Sequence, residues 1–403
     1  MGMKFLAVLG RTPNLSLAEL RALFGYQNVQ SLSPSLALIE APSLLNPADF
    51  PFARLGGCLK VAFVLTGPCH PHAKLSSTTH SAKDAVLNYL LGLPQGKITL
   101  GFSDYNKNAS SKTAWRKALQ LKNTLHQHQR SVRIVPNHDS PVISTATALH
   151  NGLGQKSNHV EILQFQDLSA VSCGVQDIDA YAARDQARPA RDAFVGMLPP
   201  KLAQILINLA TGPSWSQSPK SLLLDPFCGS GVVLQEALLM GYPVFGSDLS
   251  PRMVSFSQKN LHWLSSRYPL SQKIPPYTLA VADATSFHWP KSPAFIASEL
   301  YLGRPLSKLA SDHELADFIA ASRSLVYQFL QNLAPQIHPG TTLALALPAW
   351  ARPDNTFATI GPLDDILSLG YNYLDYQHGN EAPLLYFRKQ QLVARHLITL
   401  RKA

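Results

Sequence analysis

Cysteine is scarce in this 403-residue chain, and the four present, Cys58, Cys69, Cys173 and Cys228, have neither metal-ligand spacing nor the density of a disulfide framework. Reduced thiols are therefore expected. No stretch reaches the roughly 18 consecutive apolar residues of a membrane span. Residues 1–10 lack both the apolar core of about 7 to 15 residues and the cleavage site of a secretory signal, so a cytoplasmic protein is expected. Acidic residues are scarce chiefly in one place. Between Lys74 and Arg133 two acids stand against ten Lys or Arg, whereas residues 201–403 hold 13 against 16. The net charge of +10 is thus concentrated in one segment beside a nearly balanced half, which suggests that one part holds a polyanion and another processes it. A hydrophobic content of 46% and this length are those of a soluble globular protein with two or three domains.

The most informative stretch is SLLLDPFCGSGVVLQEALLMGYPVFGSDLSP, residues 221–251. Leu222 to Leu224 form an apolar run of buried-strand type that stops at Asp225 and passes through a Gly229-Ser230-Gly231 turn into a helix, Val232 to Met240. Gly241 is placed to end that helix, and a second apolar strand finishes on Asp248. The stretch reads as one βαβ unit with an acid at each strand end, its glycines letting the backbone approach a ligand at the carboxyl edge of a parallel sheet. Two common ligands are excluded by what is missing. A dinucleotide fingerprint needs a third glycine where Leu234 stands, and a triphosphate loop needs a Lys where Val232 stands. A ligand with a cationic end for Asp225 and ribose hydroxyls for Asp248 fits, and S-adenosylmethionine has both.

These residues, DPFCGSGVVLQEALLMG followed by VFGSDLSPRMV, resemble the cofactor motifs of class I RNA methyltransferases, in particular the THUMP-containing enzymes that methylate the exocyclic amine of guanosine in tRNA. The resemblance implies an α/β chain: a C-terminal doubly wound, seven-stranded, Rossmann-like domain over 201–403, a ferredoxin-like domain over 1–75, a THUMP-like RNA-binding domain over 76–170 and a linker over 171–200. It implies S-adenosylmethionine as cofactor, bound by Asp225, Phe227, Gly229, Gly231, Asp248, Leu249, Asp283 and Ala284, and tRNA as substrate. A small activating protein partner is not legible in the residues. Methylation of DNA or another RNA, and a non-catalytic RNA-binding protein that keeps the pocket, are the alternatives.

In chain order, strands are expected at Met3–Leu9, Ser35–Glu40 and Leu59–Leu65, with a helix over Ser16–Phe24 and a turn at Arg54-Leu55-Gly56-Gly57. Pro68 to His80 reads as linker. Ser111–His128 fits a helix whose polar face is basic, with Lys122 inside the apolar stripe and obliged to snorkel; Ser131–Val135 and Val160–Phe165 read as strands. Strand, basic helix and strand resemble THUMP, and Lys112, Arg116, Lys117, Arg130 and Arg133 are its candidate RNA contacts. The run RDQARPARD contains Arg184, Arg188 and Arg191, which either hold substrate phosphates or pair with Asp185 and Asp192; MLPPKLA then opens an apolar helix with Pro200 in its first turn.

Beyond Asp248, Ser250 opens a further helix, and a third strand, Tyr277–Ala282, ends at Asp283 and Ala284, placed to face an adenine amino group and ring nitrogen. The fourth strand, Ala294–Ser298, delivers SELYLGRPL, which departs from the family's Asp or Asn, two prolines and aromatic in that neither proline is present. Either Glu299 is the acceptor for the amine hydrogens with Tyr301 as the stacking ring, or Ser298 takes the acid's place. Ser311 with Glu314 makes a capping box before a long helix, and Thr341–Leu347 is a fifth strand. A helix over Ile360–Leu369 and two paired final strands, Tyr371–Tyr376 and Leu384–Lys389 joined by the turn HGNEAP, complete the expectation, with no reading for the basic tail.

Overall fold

The computed structural model describes residues 3–41, 46–65, 82–191, 197–213, 221–267, 275–376 and 383–403; the linker read at Pro68–His80 and nearly all of the HGNEAP turn lie outside them. The chain forms two compact units, one of residues 1–13, 26–53 and 58–180, the other of 14–25, 54–57 and 181–403.

The first part of the chain runs β1 (Lys4–Leu9), α1 (Pro13–Phe24), β2 (Val29–Ser33), β3 (Leu36–Glu40), β4 (Cys58–Val64), α2 (Ala82–Leu91), β5 (Ile98–Asp104), α3 (Ser111–Gln127), β6 (Val132–Ile134), α4 (Thr145–His150), β7 (His159–Phe165) and β8 (Leu168–Val175). Its eight strands make one sheet in the order β2-β3-β1-β4-β8-β7-β5-β6. The two modules expected over 1–75 and 76–170 therefore share a sheet, because β4 and β8 pair antiparallel from Lys60 opposite Val175 to Val64 opposite Ala170. A buried ion pair ties these halves together. The Lys60 ammonium donates to Glu161 at 2.7 Å and to the Ile143 carbonyl at 2.6 Å, while the Ser103 hydroxyl also donates to Glu161.

The second unit takes in α1, whose Leu15, Ala18 and Ala22 share a core with Leu202, Leu206 and Leu209 of α6 (Pro200–Thr211), the helix that follows α5 (Ile178–Gln186). Glu19 of α1 is buried and accepts from the amides of Gly56 and Gly57 and from Asn208, so the 54–57 turn is held on this core. Gly56 must be glycine, since a Cβ there would lie 2.0 Å from the Lys201 carbonyl oxygen.

The remaining elements are β9 (Leu223–Asp225), α7 (Val232–Leu239), β10 (Val244–Asp248), α8 (Pro251–Arg267), β11 (Tyr277–Val281), β12 (Phe295–Glu299), α9 (Asp312–Leu333), β13 (Thr342–Ala351), β14 (Phe357–Ala358), β15 (Tyr371–Tyr373), β16 (Leu385–Tyr386) and β17 (Val393–Lys402). The sheet order is β11-β10-β9-β12-β13-β17-β15, with β14 beside β13 and β16 beside β17. Strands β9 to β13 on this path pair in parallel, and β17 enters antiparallel between β13 and β15. The order reverses at β9, which lies between β10 and β12; that is the switch point where such sheets hold their ligands.

Two expectations need correction here. The segment 360–369 holds only a short 3-10 helix, Asp364–Leu369, and the pieces read as paired final strands do not pair with each other. Both flank β17, the ten-residue strand formed by the unread basic tail, in register with all of β13 except its last residue, from Thr342–Arg401 to Trp350–Val393. Within it Ala394, Leu397, Ile398 and Leu400 are buried; Arg395, His396, Arg401 and Lys402 obscure that apolar content in sequence.

Removing one member of a buried ion pair leaves the other charge uncompensated, so Glu161→Ala should lower stability by about 3–5 kcal/mol. A denaturant melt of the variant within about 1 kcal/mol of the parent would show that Lys60 finds another partner.

Candidate functional site

The site grows from the ends of β9, β10 and β12. Asp225 closes β9 with its carboxylate 1% exposed, accepting from the Ser298 hydroxyl at 2.6 Å and, more weakly, from the Phe227 amide at 3.4 Å. Burial pushes its pKa from 3.8 up to about 7; the Ser298 and Phe227 hydrogen bonds pull it down, and the neighbouring Asp248 and Glu299 carboxylates push it further up. No cation among the described residues bonds to it.

The loop after β9 is set by glycine geometry and by Asp248. Gly229 and Gly231 have φ of 50° and 82°, and a Cβ on Gly231 would lie 2.8 Å from the Ser257 hydroxyl. Asp248 at the end of β10 accepts the Gly229 amide at 2.9 Å through Oδ2 and the Ser250 amide at 2.9 Å through Oδ1. Each carboxylate oxygen keeps a second lone pair for a ligand hydroxyl. Ser257 donates to the Gly229 carbonyl at 2.8 Å, and Asn260 donates to the Ser230 carbonyl at 2.9 Å while also bonding both backbone groups of Ala190. Neither α8 residue was singled out by sequence, since an isolated Ser and Asn on a helix carry no motif; nor was Met253.

A small cleft of about 70 Å³ lies over this loop. Asp225, Phe227, Cys228, Gly229 and Ser230 line one side, with Met197, Leu198, Met253 and Glu299 around them. Its lining mixes carboxylates and backbone polar groups with apolar side chains. Burial raises the Cys228 thiol pKa well above the usual value, which disfavours its thiolate form.

The outer positions are less uniform. Leu249 is 70% exposed and Tyr301 63% exposed, beside the ends of β10 and β12. Asp283 is exposed and accepts from both the amide and hydroxyl of Thr285, which lowers its pKa. Ala284 is buried, its carbonyl taken by Asn332. Glu299 lines the cleft and is ion-paired with Arg395 of β17; burial raises its pKa and Arg395 opposes that rise. Arg395 had no sequence signal beyond being one of several cations in the basic tail. The Ser298 hydroxyl is engaged with Asp225.

Several arginines expected at the polyanion surface are inside the protein. Arg130 is buried and donates to the carbonyls of Leu93 and Pro94 and to Gln95; Arg184 is buried against Glu236 at 2.7 Å; Arg188 is 3% exposed. Burial of a guanidinium behind these partners removes it from the reach of a large polyanion. Lys117 is half-buried and paired with Asp104 at 2.7 Å. Lys112, Arg116, Arg133 and Arg191 are exposed.

Strand order, the switch-point cleft and the acids closing β9 and β10 make the second unit a class I methyltransferase fold of Rossmann-like type. The chain is similar to the tRNA (guanine(10)-N2)-dimethyltransferase of Methanothermobacter thermautotrophicus, 42% identical over 79 residues, 19% of this chain and 22% of that protein. It is similar to the Pyrococcus abyssi protein of the same name, 30% identical over 115 residues, 28% of this chain and 27% of that one. The matches span about a quarter of these curated relatives. The crystal structure of TrmN from Thermus thermophilus aligns over the whole of both chains at 18% identity with a TM-score of 0.46, which leaves the fold to rest on the strand order itself. No protein-family model matches the chain.

Because the Asp225 carboxyl holds its proton more tightly in the folded protein, it contributes stability below pH 3.8 that is lost as pH rises to about 7. Asp225→Asn has no such group. The ligand-free wild type should therefore lose, relative to Asp225→Asn, on the order of 4 kcal/mol between pH 4 and pH 8. Parallel stability profiles for the two proteins across that range would refute the assignment.

Proposed function

We propose that the chain transfers a methyl group from S-adenosylmethionine to an exocyclic base amine of tRNA, guanosine N2 being the amine. The observation that carries this reading is the Asp225 carboxylate at the switch point, buried without a cation bonded to it among the described residues. A ligand with a positive end supplies what that environment lacks, because a charge close to a buried acid restores its ionised form. The loop fits the rest of such a ligand. Gly229 has no atom within 4 Å of where its Cβ would point, and Asp248 retains acceptor capacity for ribose hydroxyls. S-adenosylmethionine, when bound, supplies an electrophilic methyl group; this chain's residues hold and orient it and place the acceptor amine.

Glu299 and Tyr301 are the proposed acceptor-side residues. A planar amine becomes tetrahedral and positive as it attacks, and a carboxylate at the end of β12 stabilises that charge while an exposed aromatic supports the base. Arg395 opposes the rise in the Glu299 pKa that burial causes. Lys112, Arg116, Arg133 and Arg191 are the exposed cations offered to RNA phosphates, and the names of the partial relatives support tRNA as the polyanion.

Two measurements test this. Asp248→Ala should weaken S-adenosylmethionine binding by about tenfold or more, since a charge-assisted hydrogen bond is worth roughly 1.5–3 kcal/mol. An unchanged calorimetric Kd in the folded variant would remove the ribose from this position. Glu299→Gln should cut single-turnover methylation of a tRNA substrate by about 10² to 10³, per folded molecule, with little change in cofactor affinity. Since the substitution also removes the Glu299–Arg395 ion pair, a melting curve is run beside it. Full activity with a lowered melting temperature would make Glu299 a structural partner of Arg395.

A further inference from the structure

We propose that Arg188 is the carboxylate-binding residue of this cleft and takes the amino-acid end of the bound cofactor; the assignment rests on the reading of the cleft given above. Arg188 is almost fully buried, yet its Nε and Nη1 have no hydrogen-bond partner among the described residues. Among the described residues its Nη2 bonds the Met197 thioether at 3.2 Å, and Asp185 lies at the limit of ion pairing, 4.0 Å away. A thioether is a weak acceptor, so a buried guanidinium is left with most of its donors empty, a costly arrangement unless something else occupies them. Its neighbour in the same run shows the contrast, for Arg184 is matched by two hydrogen bonds to Glu236.

The position of Arg188 ties it to the cleft in two ways. Met197, which its guanidinium touches, is part of the cleft lining. Two residues on, the amide and carbonyl of Ala190 are both bonded to Asn260, whose side chain also donates to Ser230 of the binding loop. The chain at Arg188 is thus fastened to the loop that would wrap the ligand.

Charge balance supplies the ligand group. Asp225 and Glu299 line the cleft and Asp248 holds its loop, so the acids suit an ammonium. An α-amino acid carries a carboxylate one carbon from its ammonium, and beside three protein carboxylates that group would be repelled without a cation of its own. Glu299 has already taken Arg395. Arg188, with a planar fork matched to a carboxylate and its guanidinium against the cleft-lining Met197, is a buried cation with donors to meet it. Burial lowers its pKa, as for a charge waiting for its counterion.

The test uses the full chain, calorimetry, and two ligands that differ by one group: S-adenosylhomocysteine and its decarboxylated analogue. The wild type should prefer S-adenosylhomocysteine by about tenfold to a hundredfold, the effect of charge-assisted hydrogen bonds. In Arg188→Met the preference should vanish through loss of affinity for the carboxylate ligand alone. The melting temperature of ligand-free Arg188→Met should stay the same or rise, because an unpartnered buried charge has been removed. Equal weakening of both ligands, or a preserved preference, overturns the proposal. Should Arg188→Met fail to fold, Arg188→Gln, which has no charge, answers the same comparison: a diminished preference supports the assignment and an undiminished one overturns it. A wild type that binds neither ligand overturns the cofactor reading itself, a result distinct from a wild type that binds both equally.

Discussion

The hydrogen bond from the Gly229 amide to Asp248 is the constraint on which the site depends. It joins the loop after β9 to the end of β10, so the two neighbouring strands present their acids at one edge. The left-handed backbone of Gly229 and Gly231 makes that approach possible, and Ser257 and Asn260 of α8 hold the loop carbonyls from below. Both oxygens of Asp248 take backbone amides, so this carboxylate shapes the loop before any ligand arrives.

Within the same unit the buried acids are handled differently. Glu236 has Arg184 and Glu299 has Arg395, while Glu19 has Asn208 and two backbone amides. Those three fasten helices, strands and the 54–57 turn together. Asp225 has a hydroxyl and one weak amide contact, and burial leaves it near pH 7 in proton affinity. An acid left in that state is poorly compensated for a structural role and well prepared for a cationic ligand.

The first unit changes what a basic segment means. Net charge over residues 74–133 is a sum over side chains regardless of where they point. Arg130 spends its guanidinium on three acceptors of the 93–95 turn, and Lys117 on Asp104, so fewer cations face outward than the count implies. Lys112 and Arg116 on α3 and Arg133 on β6 keep an exposed basic face.

Elements with a local signal were legible in the sequence. The βαβ unit at 221–248 appears as read, because the apolar strand, the glycine turn and the capping glycine are each specified within a few residues; α3, α6 and the Ser311 capping box follow for the same reason. The placement of Asp225 and Asp248 at strand ends was legible because each closes an apolar run of strand type. What only the tertiary structure decided is pairing between distant segments. The charges of Arg395, Arg401 and Lys402 hid a strand that β13 stabilises along almost its whole length, and nothing local joins Arg395 to Glu299 across 96 positions. The same holds for the joining of β4 to β8, and for which arginines are buried and which exposed. Local propensity and turn chemistry act over a few residues, whereas burial and ion pairing depend on which segments the folded chain brings within a few ångströms.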